Sequence, residues 1–163
     1  MLKRLLVWLI ALGWWLLPPV APAFASLLHL EGPVPADLGV RGERLAPCPS
    51  PAHCAEAHWP VQNPLDALQR LLPAVLSLEG VEMVETTDRY LHATVTSRFF
   101  GFVDDLELLA DPDHGQILAR SQSRLGDSDL GVNGRRLERL AQALSASSRS
   151  APVGGGLVIP AGG

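Results

Sequence analysis

The fold is decided by residues 90–123, which read YLHATVTSRFFGFVDDLELLADPDHGQILARSQS. Apolar and polar side chains alternate over residues 90–99, and this period of two is typical of a β-strand with one buried face. Two further strands are predicted at residues 103–110 and 116–123. The residues between them, 111–115, are turn formers. The stretch therefore predicts consecutive antiparallel strands with short connections.

Helical spacing flanks this stretch on both sides. Asn63 followed by Pro64 is typical of a helix start, and leucines then recur at helical spacing. Pro73 interrupts the pattern, so the first helix is expected to end just before it. A second helix is predicted at residues 133–146.

Together these elements predict one domain at residues 61–144. Another strand is predicted to begin after Gly80, so the expected fold class is α+β, an antiparallel meander sheet of about four strands covered by two helices. Residues 26–60 are rich in Pro and Gly and predict an extended arm. Residues 145–163 contain mainly Ser, Ala, Gly and Pro, which predicts a disordered tail.

Both cysteines of the chain lie in the arm, at Cys48 and Cys54. Outside the cytoplasm, two thiols this close oxidise readily, so we expect one disulfide. A metal site with His53 and His58 is an alternative, although its spacing fits no standard zinc pattern. Two free thiols are the third possibility.

The first 25 residues have the three parts of a secretory signal. Lys3 and Arg4 precede an apolar run at residues 5–17, prolines follow, and residues 23–25 read Ala-Phe-Ala. We expect export by the general secretory route, cleavage after Ala25, and a location in the periplasm or, in a photosynthetic host, the thylakoid lumen. An uncleaved anchor is the alternative. Because a spanning helix needs roughly 20 apolar residues, no stable membrane span is expected after cleavage.

The charge of the chain argues against nucleic acid as a partner. The full chain has 13 basic and 17 acidic residues, a net charge of -4. Signal cleavage would remove two bases and no acid, which leaves a net charge of -6. A protein with this charge repels polyanions.

Arg, Asp and Glu concentrate on either side of the predicted turn. If Asp111 pairs with His114, then Asp105 lies opposite Arg120. One interpretation is a set of cross-strand ion pairs that stabilise the sheet. The other is a polar groove that binds a small anionic ligand or a protein of the envelope or lumen. The candidate groove residues are Arg98, Asp104, Asp105, Glu107, Arg120, Ser121, Ser123, Arg124, Asp129 and Asn133.

A small hydrolase or metal-dependent enzyme is the alternative function. It would use an acidic cluster with one histidine: Asp105, Glu107, Asp127, Asp129 and His92. The sequence has no Gly-x-Ser-x-Gly nucleophile elbow, and the oxygen-rich stretch from Asp127 does not complete a calcium loop. We therefore assign no catalytic residue, metal or cofactor, and predict a non-catalytic binding or accessory module.

Structural roles are expected for the residues around these blocks. Asp129 or Asn133 is expected to cap the second helix, with Arg135 and Arg136 on its solvated face. At least two of the three phenylalanines around Gly101 are expected in the core. The alternative for them is an apolar rim that contacts a membrane or a partner.

Two segments resemble the signature segments of the family called domain of unknown function 1499. They are SRFFGFVDDLE at residues 97–107 and RSQSRLGDSDLGVN at residues 120–133. YLHA at residues 90–93 and the cysteine segment are also similar to the family's pattern. The resemblance covers roughly residues 45–142.

This resemblance implies a setting but no reaction. The family has no established activity. The resemblance implies a location in a bacterial envelope or a plastid-type compartment. The chain departs from the family's pattern at Asp127, where an aromatic residue is usual, and at Gly134, where a basic residue is usual. A site shared by the family near this loop would be altered here.

Overall fold

The computed structural model describes residues 30–150. The predicted signal sequence at residues 1–25, its cleavage site, and residues 151–163 of the predicted tail lie outside the described residues. None of the described helices is long and apolar enough to cross a membrane.

Five antiparallel strands form one sheet. They are β1 (Cys54–Pro60), β2 (Val81–Thr86), β3 (Tyr90–Thr96), β4 (Val103–Asp111) and β5 (Gln116–Ser123). Their order across the sheet is β1-β5-β4-β3-β2. Strands β2 to β5 form the predicted meander. The α+β class is confirmed, with five strands rather than about four.

Strand β1 lies in the region that the sequence assigned to an extended arm. It pairs antiparallel with β5, so that Glu56 lies opposite Arg120 and His58 lies opposite Leu118. Its apolar residues, of which Trp59 is the largest, pack against the core. β1 therefore extends the meander at the edge formed by β5.

The turn between β4 and β5 has a register different from the predicted one. Asp111 pairs with Gln116, two residues beyond the predicted partner. The predicted pairing of Asp105 with Arg120 was therefore wrong, and Glu107 lies opposite Arg120 instead. Because the shift is two residues, each side chain stays on the predicted face of the sheet.

Helix α1 (Pro64–Leu76) begins where the sequence predicts. The Asn63 side-chain oxygen accepts a hydrogen bond of 3.3 Å from a backbone N–H of the first turn. Pro73 does not end the helix, as had been expected. Proline cannot donate a backbone hydrogen bond, but burial of Leu71 and Val75 on either side of it holds this part of the helix on the core.

Helix α2 (Val132–Ser150) is longer than predicted and includes the first residues of the predicted tail. Its leucines Leu137, Leu140 and Leu144 are buried in the same core as α1. We call the face of the sheet under both helices the helix face. The opposite face, which we call the segment face, is covered by residues 30–47, the N-terminal segment.

Cys48 and Cys54 form a disulfide, with their Cα atoms 5.6 Å apart. Cys48 follows the N-terminal segment and Cys54 is the first residue of β1. The predicted disulfide is confirmed. It fixes the position at which the N-terminal segment leaves the sheet.

We expect the double substitution Cys48→Ser and Cys54→Ser to lower the free energy of unfolding by about 2 kcal/mol, since the bond restricts the unfolded chain. Urea unfolding of the oxidised protein measures this loss. Reduction of the wild type with dithiothreitol should cause the same loss of unfolding free energy. Dithiothreitol should leave the unfolding free energy of the variant unchanged. Equal stability of the oxidised wild type and the variant would contradict the prediction.

Candidate functional site

The candidate groove residues lie on both faces of the sheet and do not form one site. Neighbouring residues of a strand point to opposite faces, and this separates Asp104 from Asp105. On the segment face lie Asp105, Glu107, Arg120 and Arg124. On the helix face lie Asp104, Ser121, Ser123 and Asn133. Arg98 lies in the loop between β3 and β4, and Asp129 in the turn before α2.

A buried ion pair lies at the centre of the segment face. Arg120 Nη1 donates to Glu107 Oε2 over 3.1 Å, and both side chains are 1% exposed. Glu107 Oε1 accepts from the Tyr90 hydroxyl and from the Gly39 backbone N–H, each over 2.7 Å. Burial, together with the hydrogen bond to Glu107, raises the pKa of Tyr90 well above its ordinary value. Tyr90 therefore remains a donor to this carboxylate.

A second ion pair beside it joins Arg124 to Asp105. The Arg124 Nε and Nη2 atoms donate to the two carboxylate oxygens, each over 2.9 Å. His92 Nε2 lies 2.8 Å from Asp105 Oδ1. Burial by itself raises the pKa of Asp105, but the donors from Arg124 and His92 outweigh it and hold that pKa below its ordinary value. Asp105 is therefore a charged acceptor inside the protein.

The N-terminal segment supplies carboxylates to both arginines. Asp37 Oδ2 lies 2.5 Å from Arg120 Nη2, and Glu31 Oε1 lies 3.2 Å from Arg124 Nη1. The carboxylates of the chain itself thus occupy the positions that the sequence assigned to an anionic ligand. These two arginines hold the N-terminal segment on the sheet.

Arg136 is the centre of a hydrogen-bonded cluster on the helix face. Its Nη2 donates to Asp104 Oδ2 over 2.7 Å, and its Nη1 donates to Ser121 Oγ and Asn133 Oδ1, each over 2.6 Å. Asn133 Nδ2 also donates to Ser123 Oγ over 3.0 Å. The expectation that Arg136 lies on a solvated face was wrong, since it is 4% exposed. The missed signal was its spacing, three residues after Asn133 and four before a buried leucine.

Asp129 organises the turn that leads into α2. Its carboxylate accepts the backbone N–H groups of Gly131 and Asn133, each over 2.8 Å, and so caps the helix. Burial raises the pKa of Asp129, but these donors outweigh it and hold the pKa below its ordinary value. Asp127 is exposed in the same turn, away from Asp105 on the sheet. Among residues 30–150, no three His, Cys, Asp or Glu side chains are placed to hold a metal ion.

A cavity of about 350 Å³ lies on the segment face, between the N-terminal segment and strands β1 and β5. Its charged lining consists of Arg44, Arg120, Glu56 and Asp111, with His58 beside them. Arg120 is already bound by carboxylates, and the acids equal the arginines in number. This lining does not favour an anion.

A smaller cavity of about 190 Å³ lies on the helix face, at the end of the sheet where β3 stops. Three arginines, Arg98, Arg136 and Arg139, line it together with Glu79 and Asp104. Arg98 Nη1 lies 3.6 Å from Glu79 Oε1, and Asp104 is bound by Arg136. Within residues 30–150, no carboxylate lies within 4.0 Å of the Arg139 guanidinium. The lining of this cavity is therefore net positive.

The loop between β3 and β4 exposes two aromatic side chains next to this cavity. Phe99 is 76% exposed and Phe100 is 58% exposed. The expectation that at least two of the three phenylalanines lie in the core was therefore wrong. Phe100 packs on Phe102, with ring centroids 5.8 Å apart.

Comparison with known proteins supports the sequence resemblance. The search of the curated proteins found no match. The sequence profile of a family described as protein of unknown function, DUF1499, matches residues 36–144. The match spans more than half of the chain and includes all five strands, α1 and most of α2. The chain therefore belongs to the DUF1499 family of proteins of unknown function.

Proposed function

We propose that this protein is a non-catalytic binding module of an exported compartment, and that it binds a small anionic ligand in the smaller cavity. The signal-like first 25 residues support export to the periplasm or thylakoid lumen. An acidic group of an envelope or lumen protein is the alternative ligand. The site differs from the groove expected from sequence, because Arg136 and Arg139 replace Arg120 and Arg124.

The positive lining of the smaller cavity is the observation that carries this proposal. Arg139 has no carboxylate within 4.0 Å among residues 30–150, and 57% of the Arg98 side chain is exposed. A guanidinium group donates two parallel hydrogen bonds to a carboxylate or a phosphate. The volume of about 190 Å³ is below the roughly 300–1,000 Å³ of sites for drug-sized ligands. The ligand is therefore the size of phosphate or a short dicarboxylate.

The state of the acidic residues supports binding over catalysis. The enzyme alternative requires Asp105 and Glu107 to meet a substrate, but each is 1% exposed and bound by an arginine. The N-terminal segment covers them. A general acid or base must reach the substrate within hydrogen-bond distance, and these contacts oppose such an approach.

We expect isothermal titration calorimetry of the full chain to detect binding of inorganic phosphate or succinate. Arg139→Gln should weaken this binding about tenfold or more, since a hydrogen bond to a charged group contributes about 1.5–3 kcal/mol. The substitution removes the charge and leaves a shorter, neutral amide.

Arg70→Gln is the matched control for this experiment. Arg70 is exposed on α1 and does not line the cavity, so its substitution makes the same charge change elsewhere. It should bind like the wild type. Equal affinity of Arg139→Gln and the wild type, or no binding of either anion, would contradict the proposed function.

A further inference from the structure

One end of the sheet carries both the positive cavity and the two most exposed large apolar side chains of residues 30–150, Leu130 and Phe99. The β3–β4 loop supplies Arg98 to the cavity and exposes Phe99 and Phe100. The turn before α2 leads to Val132, which lines the cavity, and exposes 84% of Leu130. We call Phe99, Phe100 and Leu130 the apolar tips. Each of them lies within two residues of a residue that lines the cavity, Arg98 or Val132.

We propose that this end of the molecule docks on a phospholipid surface, with a lipid phosphate in the cavity and the apolar tips in the membrane interface. The inference rests on the proposed function, because it names the ligand of the same cavity. Interfacial proteins bury apolar side chains about 5–10 Å deep while basic side chains bind the headgroups. Arginine also extends its charged end towards the headgroups while its carbon chain contacts apolar surface.

The β3–β4 loop can enter a membrane interface with its turn already hydrogen-bonded. The Ser97 N–H donates to the Phe102 carbonyl over 2.8 Å, and the Gly101 N–H donates to the Ser97 carbonyl over 3.0 Å. The Phe102 N–H donates to Ser97 Oγ over 3.0 Å. Unpaired backbone groups oppose insertion into lipid, and these three donors at the base of the loop are paired before contact.

Leu130 is held outward by a turn that a leucine rarely adopts. Its φ is 52°, in the left-handed region that is unfavourable for a bulky side chain. Ser128 Oγ accepts the Leu130 N–H over 3.3 Å, and Asp129 accepts the next N–H. Strained residues of this kind concentrate where they contact a ligand or partner.

The shape and charge of this end favour lipid over a protein partner. A stable protein interface buries roughly 800 Å² on each partner across a complementary surface. The apolar tips protrude on two separate loops, and a fluid lipid layer adapts to such a shape. The net charge of -4 gives no long-range attraction to an anionic membrane, so binding depends on direct contact at the cavity and tips.

The test compares two compounds that carry the same glycerol phosphate group, one without acyl chains and one with them. Calorimetry of the full chain is performed with glycerol 3-phosphate and with monomeric dihexanoyl phosphatidic acid. We expect the wild type to bind the lipid about tenfold or more tightly than glycerol 3-phosphate, because each buried methylene adds to the affinity. Phe99→Ser combined with Phe100→Ser should remove this difference and keep the affinity for glycerol 3-phosphate. Arg139→Gln should weaken binding of both compounds.

Val84→Ser is the control, since Val84 is an exposed apolar residue on β2 away from the cavity. It should keep the preference for the lipid. Thermal unfolding of each variant checks that it is folded.

The possible outcomes separate the two proposals. Equal, detectable affinity of the wild type for both compounds would overturn lipid docking and keep the proposed function. A lipid preference that survives in the double phenylalanine variant would also overturn lipid docking. If none of the four compounds binds (glycerol 3-phosphate, dihexanoyl phosphatidic acid, phosphate and succinate), both proposals are overturned.

Discussion

We expect Arg120→Met to lower the free energy of unfolding by about 3–5 kcal/mol, because it removes one partner of a buried ion pair. Glu107 would keep its charge inside the protein, and its remaining donors among residues 30–150 would be the Tyr90 hydroxyl and the Gly39 N–H. Asp37 would lose its contact with the sheet. Methionine retains an unbranched chain at this site, so the loss reports mainly the missing charge. Urea unfolding followed by circular dichroism measures the change.

Two further variants test the cause of this loss. Arg70→Met, on the exposed surface of α1, should stay within about 0.5 kcal/mol of the wild type. Combining Glu107→Met with Arg120→Met should cost less than the sum of the two single losses, since the second change removes the unpaired charge. Additive losses would show that the ion pair does not account for the effect.

Asp105→Asn is expected to lower the free energy of unfolding by about 3 kcal/mol at neutral pH, because Arg124 loses its main carboxylate. The Arg124 side chain is 5% exposed, and within the described part of the chain Glu31 is the one acidic partner that it keeps. His92 also loses its charged acceptor. Urea unfolding at pH 7 measures this difference.

The pH dependence of the difference in unfolding free energy between the wild type and Asp105→Asn tests whether the charge of the Asp105 carboxylate is its cause. Because the folded pKa of Asp105 lies below its ordinary value, its stabilising effect is complete above about pH 4 and is lost as the pH falls through the folded pKa. The gap between wild type and Asp105→Asn should therefore narrow below pH 4. Asp111 and Asp129, whose pKa values are also lowered, are present in both proteins and cancel. A gap that stays constant from pH 7 to pH 3 would contradict this explanation.

The alternation of side chains predicted the meander because its apolar side chains recur every second residue and point to the helix face. Leu91, Ala93 and Val95 in β3 show this most clearly, and all three are in the core. Strand β1 shows the same period, but its inward residues include the small Ala55 and Ala57. Small residues bury little apolar area, and the flanking prolines favoured an extended arm over a strand.

The sequence predicted which residues share a face better than it predicted which residues pair. Alternation alone places Glu107 and Arg120 on one face, whereas their pairing depends on the turn. The Asp111 carboxylate accepts the backbone N–H of His114 and the side-chain amide of Gln116, which stabilises a longer turn than predicted. Side-chain contacts of this kind are not visible in hydrophobic periodicity.

The partners of the arginines could not be predicted, because they lie far away in the chain. The charge pattern placed acids beside Arg120 and Arg124 within the hairpin, and ion pairs do form there, although Arg120 pairs with Glu107 and not with the predicted Asp105. Nothing in the pattern distinguishes Glu31 or Asp37 from other acids in a Pro- and Gly-rich stretch. The helical spacing places Arg136 on the buried side of α2. This position was missed because a charged residue is usually assigned to the surface, even where the spacing indicates burial.

The ionic anchors of the N-terminal segment also determine the order in which the domain is completed. The contacts of Gly39, Asp37 and Glu31 span 68, 83 and 93 residues of chain. The meander, by contrast, pairs each strand with its next neighbour along the chain, and long loops close at a higher entropic cost than short ones. We therefore expect the N-terminal segment, although it precedes the meander in the chain, to reach its final position last, after β5 has joined the sheet.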